Sequence, residues 1–143
     1  MRFDGEWYPC DDGVVRPVVR GEVLAFDGEW VPAFFLVDTG ADRTVLSGAV
    51  FALIGLSPIS TQTLGGVGGL AEAVVIDTQI RLTRETGGKV LFHGQFSALP
   101  ALEALDISVL GRDVTGLFAA IVDHAGDLVC LLGPPHRYDI RHE

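Results

Sequence analysis

A carboxylate at the end of an apolar run is the first candidate for chemistry in this sequence. Residues 33–37 are all apolar, and Asp38 follows them directly, before Thr39 and Gly40. Such a run predicts a buried strand, and a carboxylate at its end resists ionisation unless hydrogen bonds or a partner compensate. A positioned carboxylate can act as a general acid or base. The same residues also fit a simple turn, in which Asp38 binds the next backbone N–H groups.

Two further segments could complete a site around Asp38. Residues 64–70 read Leu-Gly-Gly-Val-Gly-Gly-Leu between two strand-like flanks, which suits the tip of a mobile hairpin. Residues 108–113 read Ser-Val-Leu-Gly-Arg-Asp, a pattern typical of an apolar strand that runs into the start of a helix. A phosphate-binding loop is excluded, because no Lys-Ser/Thr pair follows the glycines and no helix-forming run begins there.

Other catalytic chemistries lack their sequence motifs. Neither His-Glu-x-x-His nor Cys-x-x-Cys is present, so we expect no metal site. No other cofactor is expected. No serine lies in a nucleophile-elbow sequence. Cys130 lies in the apolar run 128–132 and is predicted to be a core residue rather than a nucleophile. The histidines are scattered along the chain, at His93, His124, His136 and His142.

Taken together, the three segments resemble the hallmarks of the retropepsin-like family, the retroviral-type aspartic proteases. Asp-Thr-Gly-Ala, a Gly-rich flap and an apolar-apolar-Gly-Arg-Asn/Asp element occur here in the family's order, between residue 33 and about residue 118. The resemblance implies that Asp38 is the catalytic aspartate. Because the chain holds one Asp-Thr-Gly, the second carboxylate would come from another copy, giving a homodimeric aspartic endopeptidase that acts on peptide or protein substrates.

The resemblance also assigns roles to the neighbours of Asp38. Thr39 would reach across the two-fold axis, Gly40 would bind substrate backbone, and Arg112 would support the site by pairing with Asp42. An exposed position at a helix start is the alternative for Arg112, and plain core packing is the alternative for each apolar residue of the site. The flap tip would comprise residues 65–69. Substrate binding would involve Ala41, Asp42, Val45, Leu64, Gly65, Gly66, Val67 and Val109.

Short apolar runs separated by Gly and Pro predict a mostly β chain, and the resemblance implies a closed, barrel-like acid-protease fold that spans residues 1–143 as one domain. Asp27-Gly28 predicts a hairpin turn. Helices are expected over residues 48–54, capped by Ser47 and ended by Gly55, and over residues 112–118. Strands are predicted over residues 18–26, 30–37, 73–82, 89–96, 119–122 and 128–132.

Charge and composition exclude several function classes. The net charge is −9, and one of the ten basic residues is a lysine, so we expect no nucleic acid and no anionic membrane surface as a partner. The uncharged stretch 44–71 contains Pro58 and six glycines, so it cannot form one spanning helix. Without a signal-peptide pattern, a cytoplasmic location and reduced thiols at Cys10 and Cys130 are the expectation.

The two ends of the chain depart from the retroviral pattern. Retroviral dimers interleave their termini, whereas this chain has about thirty residues before the first motif and an extra predicted hairpin over residues 119–132. That hairpin is more apolar than an exposed edge strand of a sheet usually is, so it is our candidate dimer interface. Residues 1–15 could be a removable segment that covers the groove. These departures favour the free-standing cellular type of the family over a viral protease. The alternative function is a catalytically silent homodimer of the same fold that binds peptides or serves as a scaffold.

Overall fold

The computed structural model describes residues 1–66, 68–101, 107–136 and 141. The predicted mostly β fold class is confirmed, and strands form most of the regular structure. Neither helix in this described part of the chain is long and apolar enough to cross a membrane. The elements are β1 (Arg2–Asp4), β2 (Glu6–Pro9), β3 (Val15–Leu24), β4 (Trp30–Val37), β5 (Val45–Leu46), α1 (Gly48–Ile54), β6 (Ser60–Gly66), β7 (Gly69–Thr83), β8 (Lys89–Ala98), β9 (Ser108–Leu110), α2 (Arg112–Thr115), β10 (Ala119–Asp123) and β11 (Leu128–Leu132).

Eight strands form one sheet that curls back on itself. Their order is β2-β3-β4-β9-β5-β8-β7-β6, and an additional pairing of β3 with β7 closes a ring. Gly21 lies at this closure opposite Leu82, and a Cβ there would come within 2.8 Å of the Leu82 side chain. The absence of a side chain therefore lets β3 and β7 meet. Phe35 and Ile80 are fully buried inside the ring.

The alternation of side chains in β7 sets which face lines the core. Ile76, Ile80 and Leu82 are buried, as the period of two predicts for a strand with one wet face. Thr78 shares that buried face, and its hydroxyl donates a hydrogen bond to the Leu24 carbonyl at 2.8 Å. The buried hydroxyl of Thr78 is thereby satisfied, which removes most of the cost of burying it.

Local capping signals define the turns and helices. Gly28 has φ +84° in the β3–β4 hairpin, a value that favours glycine. Ser47 Oγ accepts the Val50 N–H at the start of α1, and Gly55 ends that helix with φ +64°. The Gly28 turn, the Ser47 cap and the end of α1 at Gly55 were predicted, and all three are confirmed. Helix α2 is shorter than predicted, because it ends at Gly116 and the chain continues in i to i+3 turns.

The ends of the chain form a second, three-stranded sheet in the order β1-β11-β10. Strand β1 pairs with β11 of the same chain, with Phe3 opposite Leu131. The predicted hairpin of β10 and β11 is confirmed. Strand β2 joins the large sheet beside β3, so the first nine residues are built into both sheets.

Candidate active site

Asp38 lies at the point where β4 leaves the sheet. Its N–H donates to the Leu110 carbonyl at 3.2 Å, which fixes the backbone to the neighbouring strand β9. Its Oδ1 accepts the Gly40 N–H at 2.9 Å, so the simple Asx-type turn is present. Oδ2 accepts no hydrogen bond from the described residues. Asp38 is half-buried, whereas Thr39 and Gly40 are exposed.

Arg112 joins the Asp38 loop to α2 through three contacts. Its N–H donates to the Ala41 carbonyl at 2.8 Å, and its guanidinium donates to the Thr39 carbonyl at 2.8 Å. The guanidinium also forms an ion pair with Asp42. Both side chains of that pair are largely exposed, so the pair contributes little to folding stability. Its effect is geometric, because it holds the backbone on either side of Gly40.

The sequence did not indicate a hydrogen-bond network that joins the loop after β4 to the start of α2, in which Thr44 is buried and Asp113 is exposed. The Asp113 carboxylate accepts the Thr44 N–H at 2.9 Å and the Thr44 hydroxyl at 2.6 Å. The Thr44 hydroxyl oxygen in turn accepts the Gly111 N–H at 3.1 Å. A Cβ at Gly111 would overlap the backbone of Arg43, so only glycine fits there. An acidic residue in the first turn of α2 was the available signal for this network.

A groove of about 450 Å³ opens above Asp38. This is the inner part of the groove. All residues predicted to bind substrate line it except Asp42 and Val67, and Val67 lies outside the described residues. Sequence reasoning missed Leu70, Ala71 and Leu99. The described residues that line this inner part of the groove are Asp38, Ala41, Val45, Leu64, Gly65, Gly66, Gly68, Gly69, Leu70, Ala71, Leu99 and Val109.

An outer part of the groove, of about 370 Å³, shares four of these residues. It also contains Asp42 and three residues that the sequence did not indicate, Arg43, Gln62 and Thr63. No residue from 1 to 15 lines either part, so the N-terminal segment does not cover the groove.

The Gly-rich strip forms the tip of the β6–β7 hairpin. Gly66 pairs with Gly69, which has φ +107°. A Cβ at Gly66 or at Gly68 would meet nothing within 4 Å, and Leu70 is 81% exposed. The stem is held more firmly, because Ser97 Oγ donates to Gln62 Oε1 at 2.9 Å. The hairpin therefore has a tethered stem, and the glycines described at its tip, Gly66 and Gly68, have open space around them.

The architecture agrees with a known bacterial protein over nearly its whole length. A retropepsin-like aspartic protease from Rickettsia conorii aligns with a TM-score of 0.60 and 21% identity, over 92% of this chain and 90% of that one. The chain has the retropepsin-like fold. The resemblance that the sequence indicated is thus confirmed at the level of the fold, which a bacterial protein shares.

Two retroviral proteases align with the retropepsin-like fold of this chain over shorter stretches. The EIAV protease, solved with the inhibitor HBY-793, has 23% identity and a TM-score of 0.49, over 71% of this chain and 86% of that one. The simian foamy virus protease has 18% identity and a TM-score of 0.44, over 69% and 91%. No protein-family model and no curated protein matches the sequence.

Two other chemistries considered from the sequence were a cysteine nucleophile and a metal site. Burial raises the pKa of the Cys130 thiol, so at neutral pH this residue is a protonated core side chain. The described part of the chain contains no group of three or more His, Cys, Asp or Glu side chains that could hold a metal ion.

Proposed function

We propose that two copies of this chain form an aspartic endopeptidase, with one Asp38 from each copy. The observation that carries the proposal is the position of Asp38, at the end of β4 and on the floor of a groove beneath a Gly-rich hairpin. In the retropepsin-like fold this is half of a site. The sequence contains a single Asp-Thr-Gly, so the other half requires a second copy.

The proposed reaction uses the two carboxyl groups as one unit. Like charges that lie so close cannot both ionise, so the pair shares a proton. The ionised carboxylate takes a proton from a bound water, which attacks the peptide carbonyl, while the protonated carboxyl donates to the carbonyl oxygen. The β6–β7 hairpin would act as the flap that closes over the peptide and excludes water.

The surroundings of Asp38 support a site that a second copy completes. Thr39 and Gly40 are exposed beside Asp38, and the Thr39 hydroxyl has no hydrogen-bond partner among the described residues. It is therefore available to a neighbouring chain. The Asp42 carboxylate and the Gly40 backbone lie in the outer part of the groove, where an extended peptide would pass.

The digestion of a diverse peptide mixture tests the proposed activity. We expect the wild type to generate new termini, read by mass spectrometry, between about pH 4 and 7, the range in which a shared carboxyl proton matters. Asp38→Asn should abolish them, because an amide cannot take a proton from water. Equal cleavage by both proteins would contradict the assignment of Asp38. No cleavage by a dimeric wild type would favour the silent peptide-binding or scaffold alternative.

The edge of β10 is our proposed contact between the copies. Among the described residues, β10 pairs with β11 alone. At one end of its other edge, Trp7 Nε1–H donates a hydrogen bond to the Asp123 carbonyl. The remaining edge carries the exposed Val122, with Leu117 just before the strand. An apolar edge strand with free backbone groups is suited to pair with its counterpart across a two-fold axis.

A charge placed on that edge should break the dimer. Val122 and Val15 are 44% and 42% exposed, so they form a matched pair on different surfaces. We expect Val122→Lys to shift the protein towards monomer in sedimentation velocity, since a buried unpaired ammonium is costly. Val15→Lys should leave the dimer intact. A dimer that survives Val122→Lys would place the interface elsewhere.

A further inference from the structure

An arginine without a partner lies in the outer part of the groove. Arg43 is exposed, and it has neither an ion pair nor a hydrogen bond among the described residues. The other cation of the site, Arg112, is already paired with Asp42. In the outer part of the groove, Arg43 is therefore a cation that no described carboxylate neutralises, in a chain whose net charge is −9.

A second potential donor, Gln62, lines the same part of the groove. Gln62 belongs to β6, and its side-chain carbonyl accepts the Ser97 hydroxyl at 2.9 Å. Ser97 is 1% exposed, and its N–H is bonded to the Thr44 carbonyl, so it is a fixed anchor. With its oxygen occupied, the Gln62 amide has its two N–H groups left for a ligand in the groove.

The outer groove thus combines a cation with amide donors. Asp42 is the carboxylate in its lining, and Arg112 compensates that charge. A guanidinium and an amide together match a carboxylate, because both donate hydrogen bonds and the guanidinium adds charge. A lysine side chain would meet an uncompensated like charge at Arg43.

We propose that this outer subsite selects an acidic side chain, Asp or Glu, in the bound peptide. The inference rests on the proposed function, since it describes the substrate of the same groove. Arg43 is the specificity-determining residue, and Gln62 is the donor that Ser97 positions. In a two-fold symmetric dimer each copy supplies one such subsite, so acidic residues are favoured at equal distances on both sides of the cut.

A binding experiment tests the selection without requiring cleavage. The probes are fluorescein-labelled decapeptides with Leu-Phe at the centre and Glu, Gln or Lys at each position two to four residues outward. Fluorescence anisotropy with Asp38→Asn protein reports the affinity of each probe. At one of these positions we expect Glu to bind roughly three- to ten-fold more tightly than Gln, the range of a partly desolvated charged hydrogen bond.

Charge variants connect the preference to Arg43. In the Asp38→Asn background, Arg43→Gln should remove the preference for Glu over Gln, and Arg43→Glu should favour Lys. Arg84 is the matched control, because it is also exposed but lies in the β7–β8 turn, outside the groove. Arg84→Gln should keep the preference. Equal affinities for Glu and Gln, a preference that survives Arg43→Gln, or no binding of any probe would overturn the inference.

The two proposals fail in different ways. If wild-type protein cleaves the peptides but does not discriminate between Glu and Gln, the acidic subsite is wrong and the endopeptidase stands. If nothing is cleaved while Arg43-dependent binding of Glu peptides persists, the subsite stands and the endopeptidase is wrong.

Discussion

The base of the candidate site and the tip of the hairpin above it are built in opposite ways. At the base, Thr44, Gly111 and Asp113 form a chain of hydrogen bonds that joins the loop after Asp38 to the start of α2. At the tip, Gly66 and Gly68 have open space around them. The difference suits the two tasks that we propose for these regions, because a catalytic carboxylate must be held in place whereas a flap must move aside for an extended peptide.

The tight packing at the base should make Gly111 the most sensitive position. A Cβ would overlap the Arg43 backbone, and backbone cannot rotate away as a side chain can. We expect Gly111→Ala to lower the free energy of unfolding by about 3 kcal/mol or more, measured by urea denaturation. If the variant is as stable as the wild type, the two loops are less closely packed than the structure describes.

The hydrogen bonds at the base should give the next largest effect. Asp113→Ala leaves the Thr44 N–H and hydroxyl without their acceptor, and we expect a loss of about 2–3 kcal/mol in chemical denaturation. Asp113→Asn keeps one acceptor oxygen and should recover part of that loss. Equal stabilities of the alanine and asparagine variants would show that the acceptor itself is unimportant.

The hairpin tip should tolerate the same kind of substitution that disrupts the base. Gly66→Ala meets nothing within 4 Å, so its free energy of unfolding should stay within about 0.5 kcal/mol of the wild type. Hydrogen exchange gives an independent comparison, since the Gly66 amide should exchange much faster than the Thr44 amide. Similar exchange rates for the two amides would remove the contrast between the regions.

Local sequence signals predicted the features that depend on neighbouring residues. The Ser47 cap, the Gly55 stop and the Gly28 turn each need only a few residues, and all three are present. The contact of Arg112 with Asp42 spans 70 positions and was expected because of the family resemblance alone. The catalytic and binding roles of the site residues stay predictions.

Features that depend on distant partners were not predicted. Thr44 and Asp113 are 69 positions apart, and neither has a neighbour that indicates the other. Strands β1 and β2 are short, carry charged residues and have no clear alternation, so only their pairing reveals them. Arg43 and Gln62 are 19 positions apart in sequence and line one cavity only because the fold brings β6 and the loop after β4 to the same groove.

The pairing of β1 with β11 has a consequence for assembly. A strand that finds its partner within its own chain does not need to be exchanged, so one copy can complete its fold before it meets another. Folding and association then become separate steps, the first unimolecular and the second dependent on concentration. Under the proposed function, in which each copy supplies one Asp38, the concentration of the protein would then set the fraction of assembled sites.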